Sequence, residues 1–344
     1  MAKKIESYTA QAQSGLLLNA NESTKNLPDN ILQEIAEKVV TIEYNRYPDN
    51  SQKDILEAYG RVMDLSAEQL LAGNGSDQML GLLISTFLGK GKKLYTFDPD
   101  FSMYDYYASS YEAEVEKFVL PYDGTLDLDE FIRTGKDKNV DLVMFSNPNN
   151  PTGTCLPIDK IRKLVTAFAP VPVVVDEAYF EFSNETSALS LLSEYDNLYV
   201  TRTLSKAYCL AGIRLGFLAS NTANMDKIRP TAVPYAVNRV TSAIGEIVLS
   251  HASEMQKEII FTKQRRDAMW QAIKDLHAIH FYPSQANFLH GSCEHKDVLL
   301  NYFAEEEIVI RNYEGKDTFR ITIGNEEENQ KVLHVLQKYE EEFA

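Results

Sequence analysis

The segment Val140–Asp176, VDLVMFSNPNNPTGTCLPIDKIRKLVTAFAPVPVVVD, decides the fold. It opens on a β-branched and apolar run, VDLVMFS (140–146), and closes on another, VPVVVD (171–176), with enough chain between them for a helix. Two strand-like runs joined in this way read as a crossover between parallel neighbours. The pattern extends outward: KLYTFD, ending at Asp98, precedes the segment, and NLYVTR (197–202) and RLGFLA (214–219) follow it. Such alternation predicts an α/β protein whose mostly parallel sheet is covered by helices on both faces.

Beyond about residue 245 the signal changes. A long helical stretch (246–279) is followed by weak strands around ANFLHG and TFRITIG. In the last helix, NQKVLHVLQKYEEEF, the residues Val332, Leu336 and Tyr339 are spaced to cover one face. This tail reads as a smaller α+β domain. A chain of 344 residues is long for one domain, so residues 41–245 are expected to form the large domain and 246–344 the small one. Residues 1–40 hold little that could fold alone and are expected to pack with the small domain.

Composition narrows the function. The hydrophobic fraction of 44% and charged fraction of 24% are ordinary for a globular protein. A formal charge of −16 repels phosphate backbones and anionic lipid, which argues against nucleic acid or membrane partners and for small molecules. Three cysteines without C-x-x-C spacing indicate neither a disulfide framework nor a zinc site, so no metal is expected and a reducing cytoplasm is. The N-terminus lacks the apolar core of a signal peptide, and the longest apolar run, near Met79–Leu88, is too short to span a membrane.

In parallel α/β sheets a ligand lies beyond the carboxyl ends of the strands. VDLVMFS runs into Asn147-Pro148-Asn149-Asn150-Pro151-Thr152-Gly153; VPVVVD ends in Asp176-Glu177-Ala178-Tyr179; NLYVTR leads to Thr203-Leu204-Ser205-Lys206. Each has a plain structural alternative: a turn, a helix cap, a snorkelling lysine. Their convergence on one sheet edge points to a site. A lysine among apolar neighbours and near a second cation is biased toward the free amine, the form that condenses with an aldehyde. Pyridoxal phosphate, an aldehyde on a pyridine ring, needs an acid for the ring nitrogen, donors for the ring oxygen and an anion cradle. Asp176, then Asn150 with Tyr179, then Ser205 with Arg214 supply them. AGNGSDQMLGLLISTFLG offers a second cradle, with glycines before Ser76-Asp77 and an apolar helix whose first N–H groups could face a phosphate. It is neither a P-loop nor a G-x-G-x-x-G fingerprint.

With LLNANES (17–23), RYPD (46–49), GNGSDQ (73–78), DPDFSMY (98–104), SNPNNPTG (146–153), VVDEAYFEF (174–182), RTLSKAYCLAGIRLGF (202–217) and FRITIG (319–324), the chain resembles the fold type I pyridoxal-phosphate aminotransferases over nearly its whole length. Within them it is most similar to the histidinol-phosphate aminotransferases. The resemblance implies a seven-stranded large domain and a homodimer with shared sites. It implies that Lys206 bonds the cofactor, Asp176 pairs with the ring nitrogen, and Asn150 and Tyr179 hold the ring oxygen. Gly75, Ser76, Asp77, Ser205 and Arg214 would hold the phosphate, with Tyr47 reaching it from the partner subunit, and Phe101 would stack on the ring. Arg320 would take the substrate carboxylate, Arg311 the substrate phosphate, and Asn21 would stand beside the substrate. The implied reaction transfers an amino group from histidinol phosphate to 2-oxoglutarate; aromatic or broad-range aminotransferases and decarboxylases acting on threonine phosphate are the alternatives. After NANE this chain has Ser23-Thr24-Lys25, where the family often has a tyrosine or a proline pair.

Overall fold

The computed structural model describes residues 14–344. Twelve strands build two sheets. They are β1 (Leu16–Leu18), β2 (Leu70–Asn74), β3 (Lys93–Asp98), β4 (Glu114–Val119), β5 (Leu142–Ser146), β6 (Val173–Asp176), β7 (Leu198–Thr203), β8 (Leu215–Ala219), β9 (His280–Tyr282), β10 (Phe288–Ser292), β11 (Ile308–Asn312) and β12 (Thr318–Thr322).

The large sheet has seven strands in the order β2-β8-β7-β6-β5-β3-β4. All its pairs are parallel except those of β8, which runs antiparallel to both β2 and β7. Every residue of β5, β6 and β7 is buried, as expected for strands covered on both faces. The connection between β5 and β6 is helix Ile158–Phe168, which buries Ile161, Leu164, Val165 and Phe168 on one stripe. The topology fixes where a ligand can sit. From β3 the chain steps outward to β4, then returns to β5 on the other side and continues to β6 and β7. The switch point therefore lies between the carboxyl ends of β3 and β5. Register aligns the polar ends: Ser146 pairs with Asp176, and Asp176 with Thr201.

The small sheet has the order β1-β11-β12-β10-β9, with only β1 and β11 parallel. One face carries Leu289, Ile308, Ile310, Phe319 and Ile321, which share a core with Leu299, Val332, Leu336 and Tyr339 from the helices behind it. The opposite face carries the alternate residues. Tyr282, His290, Arg320 and Arg311 are successive partners across β9, β10, β12 and β11, so they form one rung.

Two expectations are corrected. Residues 14–40 do not all pack with the small domain. Leu16–Leu18 extends the small sheet, but helix Asp29–Val39 lies against helix Arg239–Ser250, and Leu27 and Ile31 enter the core of the large sheet with Ile55 and Tyr59. Residues 1–13 of the expected segment lie outside the described residues. The helical stretch 246–279 is not one element. It breaks at His251, separating helix Arg239–Ser250, which crosses the expected boundary at 245, from helix Ala252–Ile273. The latter buries Met255 and Ile259 in the large core and Met269 and Ile273 in the small one.

Candidate active site

Asp176 ends β6 facing inward, 3% exposed. Its Oδ1 accepts from Thr201 Oγ1 at 2.8 Å and its Oδ2 from Tyr104 OH at 2.8 Å. Burial pushes its pKa up to about 6, partly offset by the two hydroxyls. Behind it Asp100, which follows β3 at the switch point, accepts from Ser146 Oγ, from the Ser146 amide at 3.2 Å and from the Phe101 amide at 2.7 Å. Burial raises the Asp100 pKa to about 8, partly offset by these hydrogen bonds. Phe101 packs edge-on to Tyr104 with centroids 5.7 Å apart.

Lys206 lies three residues beyond the end of β7, partly buried. Its Nζ donates to the Ala20 carbonyl oxygen at 2.7 Å and sits 5.9 Å from the Tyr179 ring centroid. Burial, with the Arg320 charge second, lowers its pKa to about 8. A free amine is therefore accessible near neutrality. The Tyr179 hydroxyl accepts from Asn21 Nδ2 at 3.0 Å, and burial holds this phenol above its usual range.

Arg320 is 6% exposed. It donates to Asn150 Oδ1 through Nη1 and to the Asn19 carbonyl through Nη2 at 2.7 Å, and it lies over the Phe288 ring at 5.0 Å. No carboxylate neutralises it among the described residues, and its Nε is buried without a partner. Asn21, fully buried, bonds Thr322 through its backbone amide and side-chain oxygen. Three consecutive residues, Asn19, Ala20 and Asn21, thus hold Arg320, Lys206 and Tyr179 respectively.

The anion cradle forms at the start of helix Ser76–Phe87. Gly75, at φ +82°, occupies the N-cap position with no side-chain cap; its carbonyl takes the Gln78 amide at 3.3 Å, which leaves the Ser76 and Asp77 amides as the available donors. Arg214 reaches it from the start of β8, donating to Asp77 Oδ2 at 2.7 Å and to Ser205 Oγ at 3.4 Å. A Cβ on Gly75 would lie 2.7 Å from Arg214 Nη2, and a Cβ on Gly216 would overlap the Ser76 amide nitrogen. The absent side chains let backbone and guanidinium converge on one small volume. Arg214 now leans on Asp77, a partner that a dianionic phosphate would outcompete.

The structure thus brings Lys206, Asp176, Tyr179, Asn150, Arg320 and Asn21 into one region between the sheets, with Phe101 beside it and the cradle of Gly75, Ser76, Asp77, Ser205 and Arg214 at its edge. Arg311 stands opposite Arg320 in register, with its guanidinium 5.9 Å from the Tyr313 ring centroid. Tyr47 lies apart, 78% exposed, stacked on Tyr235 at 4.9 Å. Sequence reasoning missed Tyr104, Thr201, Asp100 and the carbonyls of Asn19 and Ala20. The only available signal was that Tyr104 falls one helical turn after Phe101 within DPDFSMY. Among the described residues no His, Cys, Asp or Glu cluster suits a metal ion.

The donor set fits pyridoxal phosphate: a carboxylate without a cation, an amine of lowered pKa and a cradle that a Cβ would fill. The family model for aminotransferase class I and II matches residues 13–336. The histidinol-phosphate aminotransferase of Clostridium kluyveri is 37% identical over 93% of this chain and 92% of its own. That of Prosthecochloris aestuarii is 32% identical over 97% and 95%. Among solved structures, the histidinol-phosphate aminotransferase of Sinorhizobium meliloti in complex with pyridoxal phosphate superposes with a TM-score of 0.87 at 21% identity, covering 96% of this chain and 92% of that one. The Clostridium acetobutylicum enzyme superposes at 0.86 with 23% identity, covering 95% and 100%. At those identities the structures speak to the fold alone; the sequence matches carry further, and the chain belongs to the class I and II aminotransferases.

Proposed function

We propose that this protein transfers the amino group of histidinol phosphate to 2-oxoglutarate, as a cytoplasmic homodimer with shared sites. The observation that carries the substrate is the pair Arg320 and Arg311. Like charges directly opposed on antiparallel strands destabilise a sheet. Neither guanidinium has a carboxylate partner among the described residues; nearby Glu305 is taken by Lys338. Such a pair suits a ligand with anionic groups at two points, which both a phosphorylated donor and a dicarboxylate present. The sequence relatives named above support the same reading. The free Cys155, Cys209 and Cys293 fit a reducing compartment.

Bound here, pyridoxal phosphate supplies the electron sink for the pair released when the substrate Cα–H bond breaks. Asp176, held by Tyr104 and Thr201, keeps a carboxylate aimed at the ring nitrogen. Asn150 and Tyr179 would donate to its ring oxygen, and Phe101 would lie beside the ring. Arg214, Ser205 and the amides after Gly75 would anchor its phosphate. Lys206 Nζ, once released from the Ala20 carbonyl, takes the Cα proton and returns it, and its lowered pKa suits both tasks. Arg320 fixes the carboxylate, and Arg311 the distal anion of the donor.

The test compares histidinol phosphate, tyrosine, phenylalanine and threonine phosphate in one purified sample, reading glutamate formation from 2-oxoglutarate against carbon dioxide release. We expect the highest kcat/KM for histidinol phosphate with no carbon dioxide. A higher value for an aromatic donor, or decarboxylation of threonine phosphate, overturns the substrate assignment. Lys206→Ala should purify without the visible absorption of the lysine–cofactor bond and without turnover; retained turnover removes Lys206 from its role.

A further inference from the structure

His290 and Arg320 face each other across β10 and β12. His290 is 1% exposed, and its Nδ1 lies 3.2 Å from the Tyr122 carbonyl oxygen, at the large-domain side of the crevice. A carbonyl can only accept, so Nδ1 carries the hydrogen. A neutral imidazole then presents Nε2 as a bare lone pair. Burial pulls the His290 pKa down to about 4, and the Arg320 charge adds to this, so the ring is neutral across the working pH range. Nε2 is buried and has no hydrogen-bond partner among the described residues. The rings of Tyr282, Tyr122 and Tyr313 surround the imidazole at centroid distances of 5.5, 6.4 and 6.4 Å and restrict its rotation.

Arg320 carries the complementary orphan. A guanidinium has five N–H donors in a rigid plane. Asn150 and Asn19 take one each, through Nη1 and Nη2, and the buried Nε–H has no acceptor. A bidentate carboxylate occupies two more parallel donors. If those are the remaining Nη hydrogens, one donor is left over, the Nε–H. An acceptor without a donor and a donor without an acceptor thus stand on directly opposed residues.

We infer that His290 is a positioning residue for Arg320 in its ligand-bound state: as a substrate carboxylate takes the Nη edge, the Nε–H turns onto His290 Nε2 and locks the guanidinium plane. This rests on the reading of Arg320 as the carboxylate-binding residue. It also accounts for a buried histidine opposite an arginine, where an apolar residue would fill the space without leaving an unpaired lone pair.

The test uses the holoenzyme. His290→Phe and His290→Leu remove the acceptor, and His290→Gln restores one on a side chain of similar reach; Arg320→Lys is measured alongside. Losing one charge-assisted hydrogen bond should raise the KM for 2-oxoglutarate about tenfold in the Phe and Leu variants, with the loss carried by KM rather than kcat, and Gln should recover most of it. A wild-type KM in Phe or Leu, or a Gln variant as weak as Phe, overturns the inference. If Arg320→Lys leaves KM unchanged, the carboxylate reading itself has failed. A second readout needs no variant: the 15N resonance of His290 Nε2 in the wild-type holoenzyme should move upfield, away from the bare lone-pair position, on saturation with 2-oxoglutarate. An unmoved resonance overturns the inference even where the variants fail to fold.

Discussion

Asp176 has one hydroxyl on each carboxylate oxygen and no cationic partner among the described residues. Two neutral hydrogen bonds offset only part of the cost of burying a charge, and the pKa rises from 3.8 to about 6. A raised carboxylate pKa means that the folded state holds its proton more tightly than the unfolded chain. The penalty is absent below about pH 4, grows as pH rises through 6, and is complete above that. At pH 7 it is on the order of 2–3 kcal/mol. Asp176→Asn should therefore raise the melting temperature of the cofactor-free protein by a few degrees at pH 7.5, with the gain vanishing near pH 4, while activity falls at least about a hundredfold. Melts across that range decide it; a gain independent of pH would show that desolvation of the charge is not its source. For Lys206 the sign is mirrored. Its lowered pKa penalises folding fully below about pH 8 and is relieved as pH rises toward 10.5. Both groups cost stability near neutrality, and at the proposed site one cofactor would relieve both: its ring nitrogen would supply the cation that Asp176 lacks, and its carbonyl would remove the charge that Lys206 carries.

At the scale of elements, the start of helix Ser76–Phe87 depends on a missing side chain. Alanine at position 75 would press its Cβ on Arg214 Nη2 and would have to hold φ near +82°. Gly75→Ala should weaken pyridoxal phosphate binding by about tenfold or more and lower stability by roughly 1 kcal/mol. Gly212→Ala is the matched control on the loop carrying Arg214, since its Cβ would meet nothing within 4 Å. An absorbance titration of both variants checks this, and equal affinities would remove Gly75 from the cradle. Elements differed in how far the sequence betrayed them. The apolar runs LVMF of β5 and VVV of β6 are legible because a strand buried on both faces has few polar positions, whereas β7, LYVTRT, buries Thr201, Arg202 and Thr203 as well. β4, EVEKFV, sits at the sheet edge with exposed charges, and β2, LLAGN, ends in small residues; neither stood out. The reversed direction of β8 was invisible, since side-chain alternation is the same either way along a strand. So was the support given by Asn19 and Ala20: a backbone carbonyl is common to every residue type and leaves no mark in the sequence. Asp176 and Lys206 were readable for the opposite reason, as charges at the ends of apolar strands.

Over the whole molecule, the chain carries a net charge of −16, while the cations Lys206 and Arg214 lie at the end of β7 and the start of β8, and Arg320 and Arg311 on one face of the small sheet. The anionic substrate proposed above would be repelled by the surface at large and held by those charges. A concavity of about 920 Å³ runs along helix Ser76–Phe87 from Asp77 past Tyr107 and Tyr111 to Val233. Beside it Tyr47, Val233 and Tyr235 stand exposed, and Tyr47 keeps its position by stacking on Tyr235 and by accepting from Arg239 Nε at its carbonyl. Apolar side chains so placed are expensive in water and cheap under a second copy. The groove reaches Asp77, and in the homodimer proposed above the partner's Tyr47 would reach the cradle. In a C2 dimer each site then draws Lys206 from one protomer and Tyr47 from the other. Lys206→Ala has no amine in either site, and Tyr47→Ala is weakened in both at limiting cofactor. A mixed dimer, however, contains one site with an intact Lys206 and an intact partner tyrosine. Equal mixing with free exchange makes about half the dimers mixed, so about a quarter of all sites regain full function. Mixing the two inactive or weakened proteins should raise activity at limiting pyridoxal phosphate toward that quarter, with the rate of recovery following subunit exchange measured by sedimentation. If the mixture never exceeds the average of its parents although mixed dimers form, Tyr47 serves its own subunit or none.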